Sequence, residues 1–101
     1  MIKVLYEVRD ERYVSLDVSG HAEYGEYGKD LICASASSIM FGLMNALDAL
    51  GEDVLIEQED NRIMIEDHSS SQVVQDYIEL VIMQMKTIEA SYGDFIRVER
   101  K

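Results

Sequence analysis

The chain contains no proline and only one cysteine, Cys33. A single cysteine cannot close a disulfide within the chain or supply the four thiolates of a structural zinc site. We therefore expect a reduced, cytoplasmic protein. Without proline, the turns have to be made by glycine, asparagine and aspartate.

Basic residues are also scarce. Nine Lys and Arg stand against twenty Asp and Glu, which gives a net charge of −11. This balance excludes generic nucleic-acid binding, because binding to phosphates needs a basic footprint. It also argues against binding to an anionic membrane. A basic partner, by contrast, would be attracted by the overall field of the protein.

Long apolar segments are absent as well. We find no apolar run near the ~18–20 residues of a membrane span. Residues 1–4 show neither the apolar region nor the cleavage site of a signal peptide. A chain of 101 residues fits one domain with one core. The sequence thus predicts a single soluble domain over residues 1–101.

Alternating apolar and polar residues predict the strands. This pattern occurs in five segments, residues 2–8, 12–19, 54–56, 63–65 and 95–98. A period of two is typical of half-buried strands, and in the second segment it places Leu16 on the face opposite Tyr13. Short turns join the first two segments and the next two, which predicts two hairpins.

Helical spacing predicts two helices between these strands. In the first, apolar residues recur every three or four positions from Ile32 to Leu50, and Gly51 follows as its C-terminal cap. Ser69 and Gln72 match a capping box at the start of the second helix. The order ββαββαβ predicts an α+β fold, because the helices can bury their apolar faces only on the sheet. We expect a two-layer sandwich, with a mixed or antiparallel sheet and both helices on one face.

Residues 20–30 show no periodicity and contain the glycines Gly20, Gly25 and Gly28. We therefore expect a mobile loop. Lys29, directly after a glycine, suggests a phosphate-binding loop, but the Walker spacing is absent and acids in the loop would repel phosphate.

No metal or cofactor is predicted. His21 and His68 are far apart in the sequence and occupy no recognised metal-ligand spacing. The acids Glu23, Glu26 and Asp30 lack the EF-hand pattern. A solvated acidic loop is the simpler interpretation of this segment.

Cys33 and His21 are the candidate catalytic residues. Cys33 is predicted in the first turn of the first helix, where N–H groups and the helix dipole stabilise a thiolate. His21 follows Gly20 at a strand end, and the intervening chain can bring its imidazole to the thiol, as nucleophilic catalysis requires. The N–H groups of Cys33 and Ala34 could form an oxyanion hole. The alternative is a buried structural cysteine beside a surface or capping histidine.

Two polar neighbours have two interpretations each. Asp30 either caps the first helix or orients His21 as the third member of a triad. Ser37 lies four residues after Cys33 on the same helix face. It either donates a hydrogen bond beneath the site or serves as a small residue where the helix contacts the sheet.

The segment around these residues resembles a known family signature. A G-H-A tripeptide at 20–22 is followed by glycine at 25 and by GKDLICASAS at 28–37. The combination is similar to that of the Prp family, the ribosomal-processing cysteine proteases of Firmicutes and related bacteria. It covers about a fifth of the chain.

The resemblance implies a homodimeric α+β cysteine endopeptidase. Members of the family remove a short N-terminal extension from a large-subunit ribosomal protein, cutting after apolar aromatic residues and before a small one. Carried over, Cys33 would be the nucleophile and His21 its general base. Asp30 and Ser37 would support them.

The glycine-bearing loop is the expected substrate loop. Gly25 and Gly28 would let residues 22–29 close over a bound peptide, with Gly20 at its start. Tyr24 and Tyr27 are candidate contacts for aromatic side chains of the peptide. Ordinary loop packing is the other interpretation of these two tyrosines.

The competing function is a non-enzymatic acidic dimeric module that binds a basic ribosomal partner, with Cys33 buried. Thiol redox sensing ranks last, because the chain has no resolving cysteine. Both leading interpretations include a dimer. Met83 lies off the apolar face of the second helix, and the second face of the sheet has no cover; either could form the contact.

Overall fold

The structure, a computed structural model, describes the backbone of residues 1–20 and 27–101 and the side chains of residues 1–20 and 31–101. Its elements are β1 (Ile2–Arg9), β2 (Arg12–Ser19), α1 (Tyr27–Leu50), β3 (Val54–Glu59), β4 (Arg62–Asp67), α2 (Gln72–Tyr92) and β5 (Ile96–Arg100). This is the ββαββαβ order predicted from the periodicities, and the predicted fold class is confirmed.

The five strands form one mixed sheet in the order β3-β4-β2-β1-β5. The two hairpins and the β2–β4 pair are antiparallel. The last strand, β5, runs parallel to β1, with Ile96 opposite Ile2. The chain reaches β5 through α2, which lies in the helical layer. A hairpin turn could not make this connection, because parallel neighbours need a long one.

One core lies between the sheet and the two helices. Both helices contribute apolar residues to the cluster that the inner sheet face lines. Its fully buried large side chains are Leu16, Met40, Ile65, Ile78, Ile82, Met85, Ile96, Val4 and Val74. The opposite face of the sheet carries exposed charged residues such as Lys3, Glu57 and Arg97.

Within α1, the segment Leu31–Leu50 is long and apolar enough to cross a membrane by length and composition, with a mean hydropathy of 1.4. The sequence-based expectation that no segment reaches this length is therefore wrong. The core helix of a soluble protein passes the same test. Ile32, Met40 and Leu47 of this helix are buried in the core cluster that includes the sheet.

A β-bulge changes the face of the sheet on which the side chains at the start of β2 lie. The pairing of β1 with β2 shifts register between Glu7 and Val8. Tyr13 consequently packs against the core, and its ring meets that of Tyr6 edge-on at 5.9 Å between centroids. The alternation predicted Tyr13 on the other face from Leu16; the extra residue at the bulge reverses that assignment.

The start of α2 also differs from the prediction. Ser71, not Ser69, is the N-cap, and its Oγ accepts a hydrogen bond from the Val74 N–H at 3.3 Å. Ser69 instead donates its hydroxyl to Asp67 Oδ1 at 2.6 Å. Three consecutive serines, 69–71, could each have capped the helix. The carboxylate of Asp67, at the end of β4, holds Ser69 in the connection before α2.

Candidate active site

Cys33 lies on α1, more than one turn after the first helical residue. The structure begins this helix at Tyr27, so the expectation that Cys33 occupies the first turn is wrong. The apolar spacing starts only at Ile32 and therefore gave no sign of the preceding turn. Helix propagation needs no apolar residue, because each added residue gains a backbone hydrogen bond.

This placement bears on the predicted oxyanion hole. Only the first four N–H groups of an α-helix lack intrahelical partners. With α1 starting at Tyr27, the N–H groups of Cys33 and Ala34 lie beyond that set. These two donors become available only where the helix begins closer to Cys33.

Cys33 forms part of the wall of an open groove of about 200 Å³. The side chain is half-buried, which leaves the thiol at the boundary between the core and the groove. The groove is lined by Ile2, Val18, Gly20, Cys33, Ala36, Ser37, Met40, Phe41, Gln58, Glu59, Asn61, Arg62 and Ile63. Apolar residues from α1 and the sheet meet there with a polar wall from the β3–β4 turn.

Gly20 closes one end of this groove and cannot be replaced without strain. Its φ is +87°, and a Cβ there would lie 2.3 Å from the carbonyl oxygen of Met1. Its N–H donates to the Asn61 carbonyl at 2.9 Å. The backbone immediately before His21 therefore lies against the chain start and is hydrogen-bonded to the β3–β4 turn. Of the predicted loop residues, Gly20 is the one that the described structure places at the groove.

Several of the predicted site residues lie outside the described part of the structure. His21, Tyr24 and Gly25 fall in residues 21–26, which are not described. Tyr27, Gly28 and Asp30 are described in the α1 backbone only. The loop predicted over residues 20–30 is wrong for residues 27–30, which are helical. Because α1 begins three residues before Asp30, the predicted helix-capping role of Asp30 is also wrong. The catalytic and substrate-binding roles predicted for these residues stay predictions.

Ser37 is exposed and lines the same groove as Cys33. Ala36, its neighbour, is the small residue that packs into the core. The position of Ser37 therefore favours the site interpretation over the helix–sheet contact. Ser35, by contrast, donates its hydroxyl to the Leu31 carbonyl at 2.7 Å and does not line the groove.

An ion pair that the sequence analysis missed fixes the polar wall. Arg62 donates from Nη2 and Nε to the two carboxylate oxygens of Asp17, at 2.8 and 3.2 Å. These hydrogen bonds raise the pKa of Arg62 above its usual value. Asp17 is only 8% exposed. The two residues occupy diagonal positions of neighbouring strands, since Asp17 faces Met64 in the β2–β4 register. The opposite charges could be matched only once that register was known.

Among the residues with described side chains, no group of three or more His, Cys, Asp or Glu is arranged to hold a metal ion. His68 lies away from the groove and contacts Glu66, with 3.2 Å between Nε2 and Oε2. The described lining of the groove offers the thiol of Cys33 and the hydroxyl of Ser37, together with the polar side chains of Gln58, Glu59, Asn61 and Arg62.

A family model and several named relatives match this chain over most of its length. The family model described as Cysteine protease Prp matches residues 1–97. The ribosomal processing cysteine protease Prp of Staphylococcus aureus is 34% identical over an alignment of 109 positions, with 100% of both chains covered. The Bacillus subtilis protein of the same name is 34% identical over 97 positions, covering 88% of this chain and 87% of that one.

Solved structures show the same relationship. The Staphylococcus aureus protease Prp in complex with a substrate peptide matches with a TM-score of 0.90 and 32% identity, covering 100% of both chains. Its complex with a covalently linked product peptide gives a TM-score of 0.90 and 33% identity over the same coverage. The resemblance inferred from the sequence signature is thus confirmed. The chain belongs to the Prp family of cysteine proteases.

Proposed function

We propose that this protease removes the N-terminal extension of a large-subunit ribosomal protein, with Cys33 as nucleophile and His21 as general base. The observation that carries the proposal is the position of Cys33 in the wall of an open groove. The Staphylococcus aureus relative, which shares the fold, was crystallised with a covalently linked product peptide. A thiol in the wall of an open groove can reach a bound peptide, as such a covalent step requires.

In the proposed reaction, His21 takes the proton from the Cys33 thiol, and the thiolate sulfur attacks the carbonyl carbon of the scissile bond. The tetrahedral intermediate collapses as the imidazolium gives its proton to the leaving amine. This leaves the N-terminal part of the substrate as a thioester on Cys33. Water, deprotonated by His21, then attacks the thioester, and the departing thiolate regains a proton from the imidazolium.

The supporting roles follow from this scheme. Asp30 orients His21, and Ser37 supports the reacting groups from the groove wall, one turn along α1 from Cys33. For the N–H groups of Cys33 and Ala34 to stabilise the oxyanion, α1 has to begin closer to Cys33 in the peptide complex than in this structure. Rearrangement of the substrate loop would meet that condition, with Tyr24 and Tyr27 contacting the peptide.

The charge of the groove supports a basic substrate. Glu59 lines the wall opposite α1, and Glu57 and Asp60 are exposed on the same hairpin. Arg62, the cation in this wall, is engaged by Asp17. The wall therefore keeps a negative surplus that attracts the basic N-terminal region of a ribosomal protein.

We also propose that the protein is a cytoplasmic homodimer and that its helical face forms the interface. A groove of about 350 Å³ between α1 and α2 is lined by residues without a formal charge, in a chain that is 29% charged. Leu80 and Met83 are exposed on this face, and no atom lies within 4 Å of where a Cβ at Gly42 would stand. The charged outer face of the sheet is the poorer candidate.

Light scattering of Leu80→Glu and Leu55→Glu tests this interface. Leu80 lines the helical groove, whereas Leu55 is an exposed leucine of strand β3. We expect a dimer for the wild type and for Leu55→Glu, and a monomer for Leu80→Glu. A monomeric wild type would refute the dimer, and dissociation by Leu55→Glu alone would move the interface to the sheet.

The proposed protease activity is tested by incubation with peptides that span candidate N-terminal extensions of the host's ribosomal proteins. Mass spectrometry then identifies any cleaved bond. We expect one bond to be cut by the wild type and by the control Ser35→Ala, and none by Cys33→Ala or His21→Ala. A wild type that binds the peptides without cutting them would support the non-enzymatic module instead.

A further inference from the structure

Phe41 is a large apolar residue whose exposure the core does not explain. Its side chain is 46% exposed, although Met40 beside it is buried. Phe41 lines the groove that contains Cys33. An exposed aromatic side chain at the edge of an open groove is the kind of residue that anchors a bound peptide.

The helix sets the distance between Phe41 and the thiol. The two residues are eight positions apart on α1, which corresponds to about 12 Å along the axis at 1.5 Å per residue. A peptide in extended conformation advances about 3.3 Å per residue. A peptide that runs along α1 in this groove would therefore bring its third or fourth residue from the bond at Cys33 to Phe41.

The surroundings of Phe41 favour an apolar side chain in this place. Met40 and Ile63 line the same groove, and both pack with the core. The opposite wall is formed by Gln58 and Glu59, whose polar groups stay in contact with solvent. A substrate side chain between these walls would bury its apolar surface against Phe41 and Ile63.

We propose that Phe41 is a specificity-determining residue of this protease. It holds an apolar side chain of the substrate three or four residues from the scissile bond, on one side of it. This inference rests on the proposed function of the groove, and it adds a recognition element away from the residues that flank the cleaved bond.

The test is a kinetic double-mutant cycle between Phe41 and the substrate. The substrate is the peptide whose cleavage site mass spectrometry has mapped, together with versions carrying alanine at the third or fourth residue on either side of that site. The enzymes are the wild type, Phe41→Ala and Phe41→Leu. Leu55→Ala is the matched control, because Leu55 is a 42% exposed apolar residue that lines neither this groove nor the groove between the helices.

For the parent peptide we expect Phe41→Ala to raise KM about tenfold with little change in kcat, because it removes binding rather than chemistry. Phe41→Leu should retain most of the affinity, and Leu55→Ala should match the wild type. With alanine at the contacted substrate position, the effect of Phe41→Ala should vanish. Coupling to a residue next to the scissile bond, or no coupling at all, would overturn the assignment.

Binding of the labelled parent peptide to Cys33→Ala separates this inference from the proposed function. Fluorescence anisotropy should show weaker binding when Phe41→Ala is added to Cys33→Ala. Equal affinities, with a wild type that cleaves, would overturn the role of Phe41 alone. A wild type that neither cleaves nor binds any candidate peptide would overturn the proposed function and this inference with it.

Discussion

The position where a Cβ of Gly20 would stand lies 2.3 Å from the carbonyl oxygen of Met1. A carbon and an oxygen that are not bonded do not approach so closely, so a larger residue at this end of β2 would force the backbone to shift. The contact joins the first residue of the chain to the residue before His21. The residue that precedes the proposed general base in the chain therefore lies against the first residue.

We predict that Gly20→Ala lowers both the stability and the activity. The clash with Met1 adds to the strain of a positive φ, for a loss of about 2–5 kcal/mol in the free energy of unfolding. Gly51→Ala is the control, because Gly51 has φ +68° but no atom within 4 Å of the added Cβ. It should cost about 1–2 kcal/mol. If urea unfolding shows that Gly20→Ala and Gly51→Ala lose the same stability, the contact with Met1 has no effect.

Gln75 should be intolerant of an apolar replacement although it is only 6% exposed. Its Nε2 donates to the Tyr13 carbonyl and to Asp67 Oδ2, both at 2.8 Å, and its Oε1 accepts from the Tyr13 N–H at 2.8 Å. Gln75→Leu removes all three hydrogen bonds at a buried position and should cost about 2–4 kcal/mol.

The exposed Gln72, which bonds only to Asp76 among the described contacts, supplies the comparison for this site. Gln72→Leu should change the free energy of unfolding by less than about 0.5 kcal/mol. If thermal or urea unfolding shows that Gln75→Leu is as stable as Gln72→Leu, the hydrogen bonds of Gln75 contribute little.

Glu59→Gln should weaken binding of basic substrate peptides. Exposed charge pairs contribute about 0.2–1 kcal/mol, so KM should rise by less than about fivefold at low salt. The difference should disappear in high salt, which screens exposed charges. Glu52→Gln removes an exposed acid that does not line the groove and serves as the control. An equal rise in KM for both variants would attribute the effect to net charge alone.

Tyr13 links stability to alkaline pH. Its burial, reinforced by Glu79, raises the pKa of the hydroxyl above the ordinary value of 10.0. Above that pH the unfolded chain loses this proton before the folded protein does, so stability falls as pH rises through the raised pKa. Between pH 9 and 11 the thermal unfolding temperature should therefore fall less steeply for Tyr13→Phe than for the wild type. Parallel curves would contradict the shift.

The periodicities of the sequence were sufficient to predict the element order and the layer arrangement. Strand alternation identifies Val4, Leu16 and Ile65 as core residues, and helical spacing does the same for Met40 and Ile78. All five are buried, because burial on one face of each element is what the two periods encode.

The features that sequence analysis missed depend on contacts between distant segments or on backbone detail. The ion pair of Asp17 with Arg62 requires the β2–β4 register, which no local pattern specifies. The bulge beside Val8 inverted the expected facing of Tyr13. Phe41 left a weak trace, as an apolar residue beside the buried stripe of α1, but only the groove indicates a role for it.

The central claim is that Cys33 forms a covalent intermediate with the substrate. The most direct measurement is peptide mapping by mass spectrometry of the enzyme quenched in acid during turnover of its cleaved peptide. We predict a thioester between Cys33 and the N-terminal product, absent in Cys33→Ala and in His21→Ala. Cleavage that continues in Cys33→Ala, or an acyl group on any other residue, would contradict the assignment of Cys33 as the nucleophile.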